Sequence, residues 1–158
     1  MRRHSAPVAV AIAILLLLAA GCGDDDVDDG GGGGDGGETV NVVLSEFVVE
    51  PEQESVSAGE VTFAVDNQGS EMHEFLVVEA ASAEDLPVDA DGAFDEAAYG
   101  ADKVLDEVED IGAGDEAELT LDLNAGDYVL LCNIVEETET GEIESHFAEG
   151  MHATFTVE

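Results

Sequence analysis

"AELTLDLNAGDYVLLC", residues Ala117–Cys132, holds two apolar runs around a turn. Leu119, Leu121 and Leu123 fall on every second position, so an extended chain sets them on one face. Asn124-Ala125-Gly126-Asp127 has the residue types of a tight turn. On the return, Tyr128, Leu130 and Cys132 again share one face. The stretch therefore predicts a β-hairpin whose second strand ends on a cysteine.

The same pattern extends outward. "TVNVVL" from Thr39 is strand-like, and "ESVSAGEVTFAVDNQG" from Glu54 reads as two strands meeting at Ala58-Gly59. Val61, Phe63 and Val65 line one face of the second. "HEFLVVE" from His73 is another apolar strand, and "ATFTVE" closes the chain. Many short strands separated by Gly turns predict an all-β sandwich. Between Glu79 and Glu116 the alternation breaks. Phe94, Ala97, Ala98 and then Val104, Leu105, Val108 follow roughly helical spacing, interrupted by Gly100. This predicts a partly helical insertion over about 80–115.

The N-terminus has a different character. Arg2 and Arg3 precede an apolar run from Val8 to Ala20, which is short for a membrane span and reads as an export signal, residues 1–21. It ends "LAAGC", which resembles the lipobox of bacterial lipoproteins, in which the cysteine, here Cys22, carries the lipid. Residues 23–38, "GDDDVDDGGGGGDGGE", are Gly and acid apart from Val27 and predict a disordered tether. Neither this tract nor "DADG" at Asp89–Gly92 keeps EF-hand spacing, because Val27 in the first and Pro87 and Ala98 in the second fall on ligand positions. The expected organisation is signal 1–21, lipidated Cys22 with tether 22–38, and one domain 39–158. Such a protein would sit outside the cytoplasmic membrane, lipid-anchored.

Charge narrows the partners. All 39 acids follow Cys22, and cleavage there leaves Lys103 as the one basic residue. Phosphates would be repelled, which excludes nucleic acid. A field of this sign favours cationic partners, or a salty medium that screens self-repulsion.

Cysteine usage raises the chemical question. There are two cysteines, and a lipidated Cys22 leaves Cys132 without a partner in an oxidising compartment. Around it lie His73 in the loop "NQGSEMHEF", then His146 and Met151 in "HFAEGM" before the last strand. Loops at one end of a sandwich can meet. Two imidazoles, one thiolate and one thioether are a donor set that selects copper for electron transfer, whereas zinc more often takes several thiolates or acids. His152 follows Met151 on the strand and should point to the other face, and Met72 offers the site at most a backbone carbonyl.

On these residues the domain from Thr39 resembles the cupredoxins, the small type 1 blue-copper proteins. The likeness lies in Asn67-Gln68-Gly69 leading to His73, a strand-ending Cys132, then His146 and, after four residues, Met151. It implies a Greek-key β-sandwich holding one copper, with His73, Cys132 and His146 in a plane and Met151 axial. It also implies a backbone N–H bond from Glu74 to the Cys132 sulfur, with the Glu74 side chain of little consequence. Ile134, not being proline, can donate a second. One departure is clear: thirteen residues separate Cys132 from His146, where small relatives have a few. That acidic insert should bulge into solvent, and the sequence assigns it no role.

The implied function is single-electron transfer between redox partners, one of them for example a basic cytochrome, by a monomer. His146 would be the exposed ligand, amid an apolar patch of Phe147, Ala148, Gly150 and Met151. Copper binding or delivery without a redox partner is the alternative. One available cysteine excludes a binuclear electron-entry site, and three histidines after Cys22 are too few for a catalytic copper, so no enzyme is expected.

Overall fold

A computed structural model describes residues 37–158. The expected signal segment, Cys22 and the tether up to residue 36 lie outside them. Glu38, read as the end of the tether, opens the first strand.

In chain order the strands are β1 (Glu38–Ser45), β2 (Val48–Pro51), β3 (Ser55–Val56), β4 (Gly59–Asn67), β5 (His73–Glu79), β6 (Val104–Ile111), β7 (Glu116–Leu123), β8 (Gly126–Leu131), β9 (Val135–Glu137), β10 (Ile143–Ser145) and β11 (His152–Val157). One sheet has the order β2-β1-β4-β7 and the other β3-β11-β8-β5-β6, while β9 and β10 form a separate pair. β1 runs parallel to β4, β3 runs parallel to β11, and the other pairings are antiparallel. After β6 and β7 the chain returns so that β8 lies beside β5, the return connection of a Greek key. The expected sandwich is present.

The hairpin read from Ala117–Cys132 is instead a corner. β7 lies in the first sheet and β8 in the second, so the turn carries the chain across the sandwich. The two strands named around Ala58-Gly59 divide in the same way, β3 in one sheet and β4 in the other. Gly59 takes φ 137°, a conformation that costs a glycine little.

The core lies between the sheets. Val61, Phe63 and Val65 of β4 are buried, as the alternation requires, and face Phe75, Leu130 and Phe155 in the same cluster. The Phe63 ring sits 5.4 Å from both Phe75 and Phe155, an inter-sheet aromatic contact. Tyr128, Leu130 and Cys132 face this core, as expected.

β5 and β8 are apolar on both faces, and the segment 80–103 explains why. Leu76, Val78, Val129 and Leu131 form a second cluster with Ala80, Ala83, Leu86, Phe94 and Phe147. The insertion is a lid over the outer face of the second sheet, and it makes both faces of these strands interior. Its helix is one turn, α1 (Glu96–Tyr99), capped by the Asp95 side chain accepting from the Ala98 N–H at 3.0 Å. The helical spacing seen beyond Gly100 misleads. Val104–Ile111 is strand β6, because the edge of β5 offers it a ladder of backbone hydrogen bonds, with bulges that break strict alternation. The insertion therefore ends near Lys103, not near residue 115.

Candidate metal centre

Three of the four expected ligands converge at one end of the sandwich. His73 opens β5, Cys132 follows β8, and His146 follows β10. The Nδ1 atoms of His73 and His146 lie 3.2 Å apart. The Cys132 sulfur is 3.4 Å from the Nδ1 of His146 and 3.9 Å from that of His73. All three side chains are fully buried. Met151 is also fully buried, in the cluster that holds Cys132. Its backbone is tied to two ligands: its N–H donates to the His146 carbonyl (2.9 Å), and its carbonyl accepts from the Cys132 N–H (3.1 Å).

Each ligand has a local reason to be where it is. Asn67, wholly buried, organises the loop before His73. Its Nδ2 donates to the carbonyls of Glu71 and Ile111, each at 2.8 Å, and its Oδ1 accepts from the Gly69 N–H at 3.0 Å. Gly69 is required by close approach, since a Cβ there would stand 2.9 Å from Glu46 Oε1 and 3.1 Å from His73 Nε2. Glu46 closes the loop from outside by accepting from the Ser70 N–H and hydroxyl, and these bonds hold its carboxyl down at about 2.

Around Cys132 the second set of supports appears. The Glu74 N–H donates to the sulfur at 3.5 Å, as the resemblance implied, and the Ile134 N–H adds to it. The Glu74 side chain, expected to count for little, is a structural tie. Its Oε1 accepts from the Asn133 N–H at 2.8 Å and so links the two ligand loops. Asn133 in turn clasps the lid: its Oδ1 accepts from the Phe94 N–H (2.7 Å) and its Nδ2 donates to the Phe94 carbonyl (3.0 Å). Sequence gave no sign of this clasp, because Asn133 looks like any polar loop residue. Burial, and then the acids Glu107, Glu96 and Glu109, push Glu74 up to about 7 against the pull of its Asn133 bond.

The expected exposure of His146 is wrong. The insert after Cys132 folds back as the β9–β10 hairpin, with Gly141 at φ 82° in its turn. The His146 N–H donates to the Ile134 carbonyl at 2.9 Å, closing the base of the hairpin. Phe47 packs edge-on against the imidazole at 5.5 Å, from a strained backbone with φ 61°. Of the apolar patch expected around His146, Phe147 and Met151 are buried, and Ala148 and Gly150 alone are exposed. The exposed large apolar side chains flanking the ligand loops are Met72, Val135 and Ile143. His152 stays outside the cluster, its ring 5.4 Å from Phe147.

The donor set fits one type 1 copper. Burial pushes the Cys132 thiol up to about 11, so the sulfur ionises at neutral pH only beside a cation. Desolvation, and then the neighbouring His146, keep His73 low and neutral, the form that ligates a metal. Buried polar atoms are costly unless paired, and two imidazole nitrogens with one sulfur have no counter-charge among themselves. A soft-to-borderline cation satisfies all three at once.

No protein-family model matches the sequence, and no curated protein does. Solved structures do. The auracyanin of the photosynthetic bacterium Roseiflexus castenholzii, reduced with dithionite, superposes with a TM-score of 0.56 at 19% identity, over 78% of this chain and 99% of its own. Auracyanin A of Chloroflexus aurantiacus, described as a "blue" copper protein, gives 0.55 at 19% identity over 78% of this chain and 100% of its own. Auracyanin B gives 0.51 at 21% identity, over 77% and 88%. At these identities the likeness establishes architecture, and the described chain has the cupredoxin fold.

Proposed function

We propose that the protein is a membrane-tethered, extracytoplasmic type 1 copper protein that passes single electrons between redox partners. The observation that carries this reading is the buried meeting of His73, Cys132 and His146, with Met151 interior beside them. Relatives in fold that include a blue copper protein support it.

His73, Cys132, His146 and Met151 would hold copper, which would supply the one-electron change between Cu(II) and Cu(I). The chain's own residues set the conditions. The N–H groups of Glu74 and Ile134 face the sulfur and offset its negative charge. Full burial of the ligands excludes water from the metal. Supports on both ligand loops, Asn67 on one and Asn133 on the other, hold the donors in place as the charge changes. An acid-rich surface selects a cationic partner, for example a basic cytochrome, and speeds encounter at low salt. Met72, Val135 and Ile143 offer that partner apolar contact beside the ligand loops. Cys22 would carry the lipid that keeps the carrier at the membrane.

Two measurements test this. Potentiometric titration of protein loaded with one equivalent of copper should give a reversible one-electron wave. Irreversible loss of copper on reduction would favour delivery instead. In cells, fatty-acid label should follow the protein and disappear in Cys22→Ser. Label retained in that variant would remove the anchor from the proposal.

A further inference from the structure

The acidic insert brings one carboxylate over a copper ligand. His146 turns its Nδ1 toward Cys132 and His73, while its Nε2 is buried and has no hydrogen-bond partner among the described residues. Facing that Nε2 is Oε1 of Glu136, at 4.0 Å. Glu71 reaches the same place, with a carboxylate oxygen within 4.8 Å of both and its Oε2 buried without a partner among the described residues. Two carboxylates around an imidazole nitrogen call for a proton donor between them. A histidine that ligates a metal through Nδ1 keeps its remaining proton on Nε2.

We infer that Glu136, seconded by Glu71, accepts the Nε2–H of His146 and is the positioning residue for this ligand. The inference rests on the copper reading above. It gives the long loop a role: the loop builds a carboxylate–histidine–metal pair.

The hairpin aims Glu136. Glu136 pairs with Glu144 across β9 and β10, and the His146–Ile134 bond fixes the base. Side chains alternate along β9, so Glu136 points opposite to Val135 and Glu137. The 4.0 Å gap exceeds a hydrogen bond. With its side chain 47% exposed, Glu136 has room to turn its carboxylate onto Nε2. A carboxylate there strengthens the imidazole as a donor and favours Cu(II) over Cu(I). A copper held there would take one electron from the redox partner in passing from Cu(II) to Cu(I), and His146 would keep its Nε2 proton toward Glu136 throughout.

Glu137 supplies the control, an adjacent carboxylate of equal charge on the opposite face. The test compares Glu136→Ala, Glu136→Gln and Glu137→Ala in the copper-loaded full chain. The readouts are the reduction potential and exchange of the His146 Nε2 proton, followed by NMR in the diamagnetic Cu(I) form. Glu136→Ala should shift the Cu(II)/Cu(I) preference about tenfold toward Cu(I), which is about 59 mV upward for one electron. Glu136→Gln, which keeps a neutral acceptor, should restore about half of that, and Glu137→Ala should shift it far less. The Nε2 proton should exchange slowly in the wild type and fast in Glu136→Ala. Equal potential shifts in Glu136→Ala and Glu137→Ala would reduce the effect to general charge and overturn the inference. Equal exchange rates in wild type and Glu136→Ala would do the same. A wild type with no thiolate–copper band would overturn the copper reading itself, a failure visible before any variant is made.

Discussion

His73 arrives on a loop of five residues after Asn67, whereas His146 ends an excursion of thirteen residues from Cys132. The short loop is held by one buried side chain, Asn67, which spends its amide on three backbone groups. The long one is held mainly by backbone: a two-stranded ladder, the His146–Ile134 bond and the Met151 bonds to both neighbouring ligands. A hub of side-chain bonds concentrates stability in one residue, and a ladder spreads it. The two regions should therefore respond differently to substitution.

Asn67→Ala should do the most damage. It strands the Ile111 carbonyl, where a buried group left unsatisfied costs about 1–3 kcal/mol, and also the part-buried Glu71 carbonyl and Gly69 N–H. Urea unfolding of the metal-free protein should show a loss of about 3 kcal/mol. Asn133→Ala comes next. It frees Phe94 from its two side-chain bonds and should cost about 2 kcal/mol by the same measurement. Its distinguishing sign is selective loosening of the 80–103 lid in hydrogen exchange, with β4 protected as before.

Gly69→Ala should cost about 1–2 kcal/mol, in the lower part of the overpacking range, because its methyl would crowd His73 and Glu46. Copper affinity should fall as well, since His73 must move. Unchanged affinity would mean that the loop yields without disturbing the ligand. Trimming the exposed hairpin tip, residues 138–141, to a two-residue turn should change stability by no more than about 0.5 kcal/mol. A loss as large as that of Asn67→Ala would erase the contrast between hub and ladder.

Acid gives the smallest effect and a definite sign. The folded protein holds Glu46 down at about 2 through its Ser70 bonds. A depressed carboxyl contributes stability above its unfolded value, and that contribution fades as pH falls through about 2. The stability difference between wild type and Glu46→Gln should therefore shrink steadily from pH 5 toward pH 2. A difference that grows on acidification would contradict the bond assignment.

The sequence carried the sandwich well where one face is buried. Val61, Phe63 and Val65 alternate because β4 has one core face, and period two is visible there. It failed at Val104–Ile111, where an edge strand with bulges has no clean period and local apolar spacing imitates a helix. The four candidate ligands could be picked out because His, Cys and Met are rare in this chain, so their order stands out against a background of acids. Their supports were not. Asn133 and Glu74 are common polar types, and the contacts that make them matter join residues 39 and 59 positions apart. The covering of His146 was hidden for the same reason: nothing in "VEETETGEIES" announces that it folds back over the ligand it precedes.

The central claim is that Cys132 binds copper as a thiolate, and the visible spectrum after one equivalent of Cu(II) tests it most directly. The wild type should develop an intense thiolate-to-copper band that Cys132→Ser abolishes. A wild type showing only the weak absorption of nitrogen- and oxygen-ligated Cu(II), unchanged by Cys132→Ser, would contradict it.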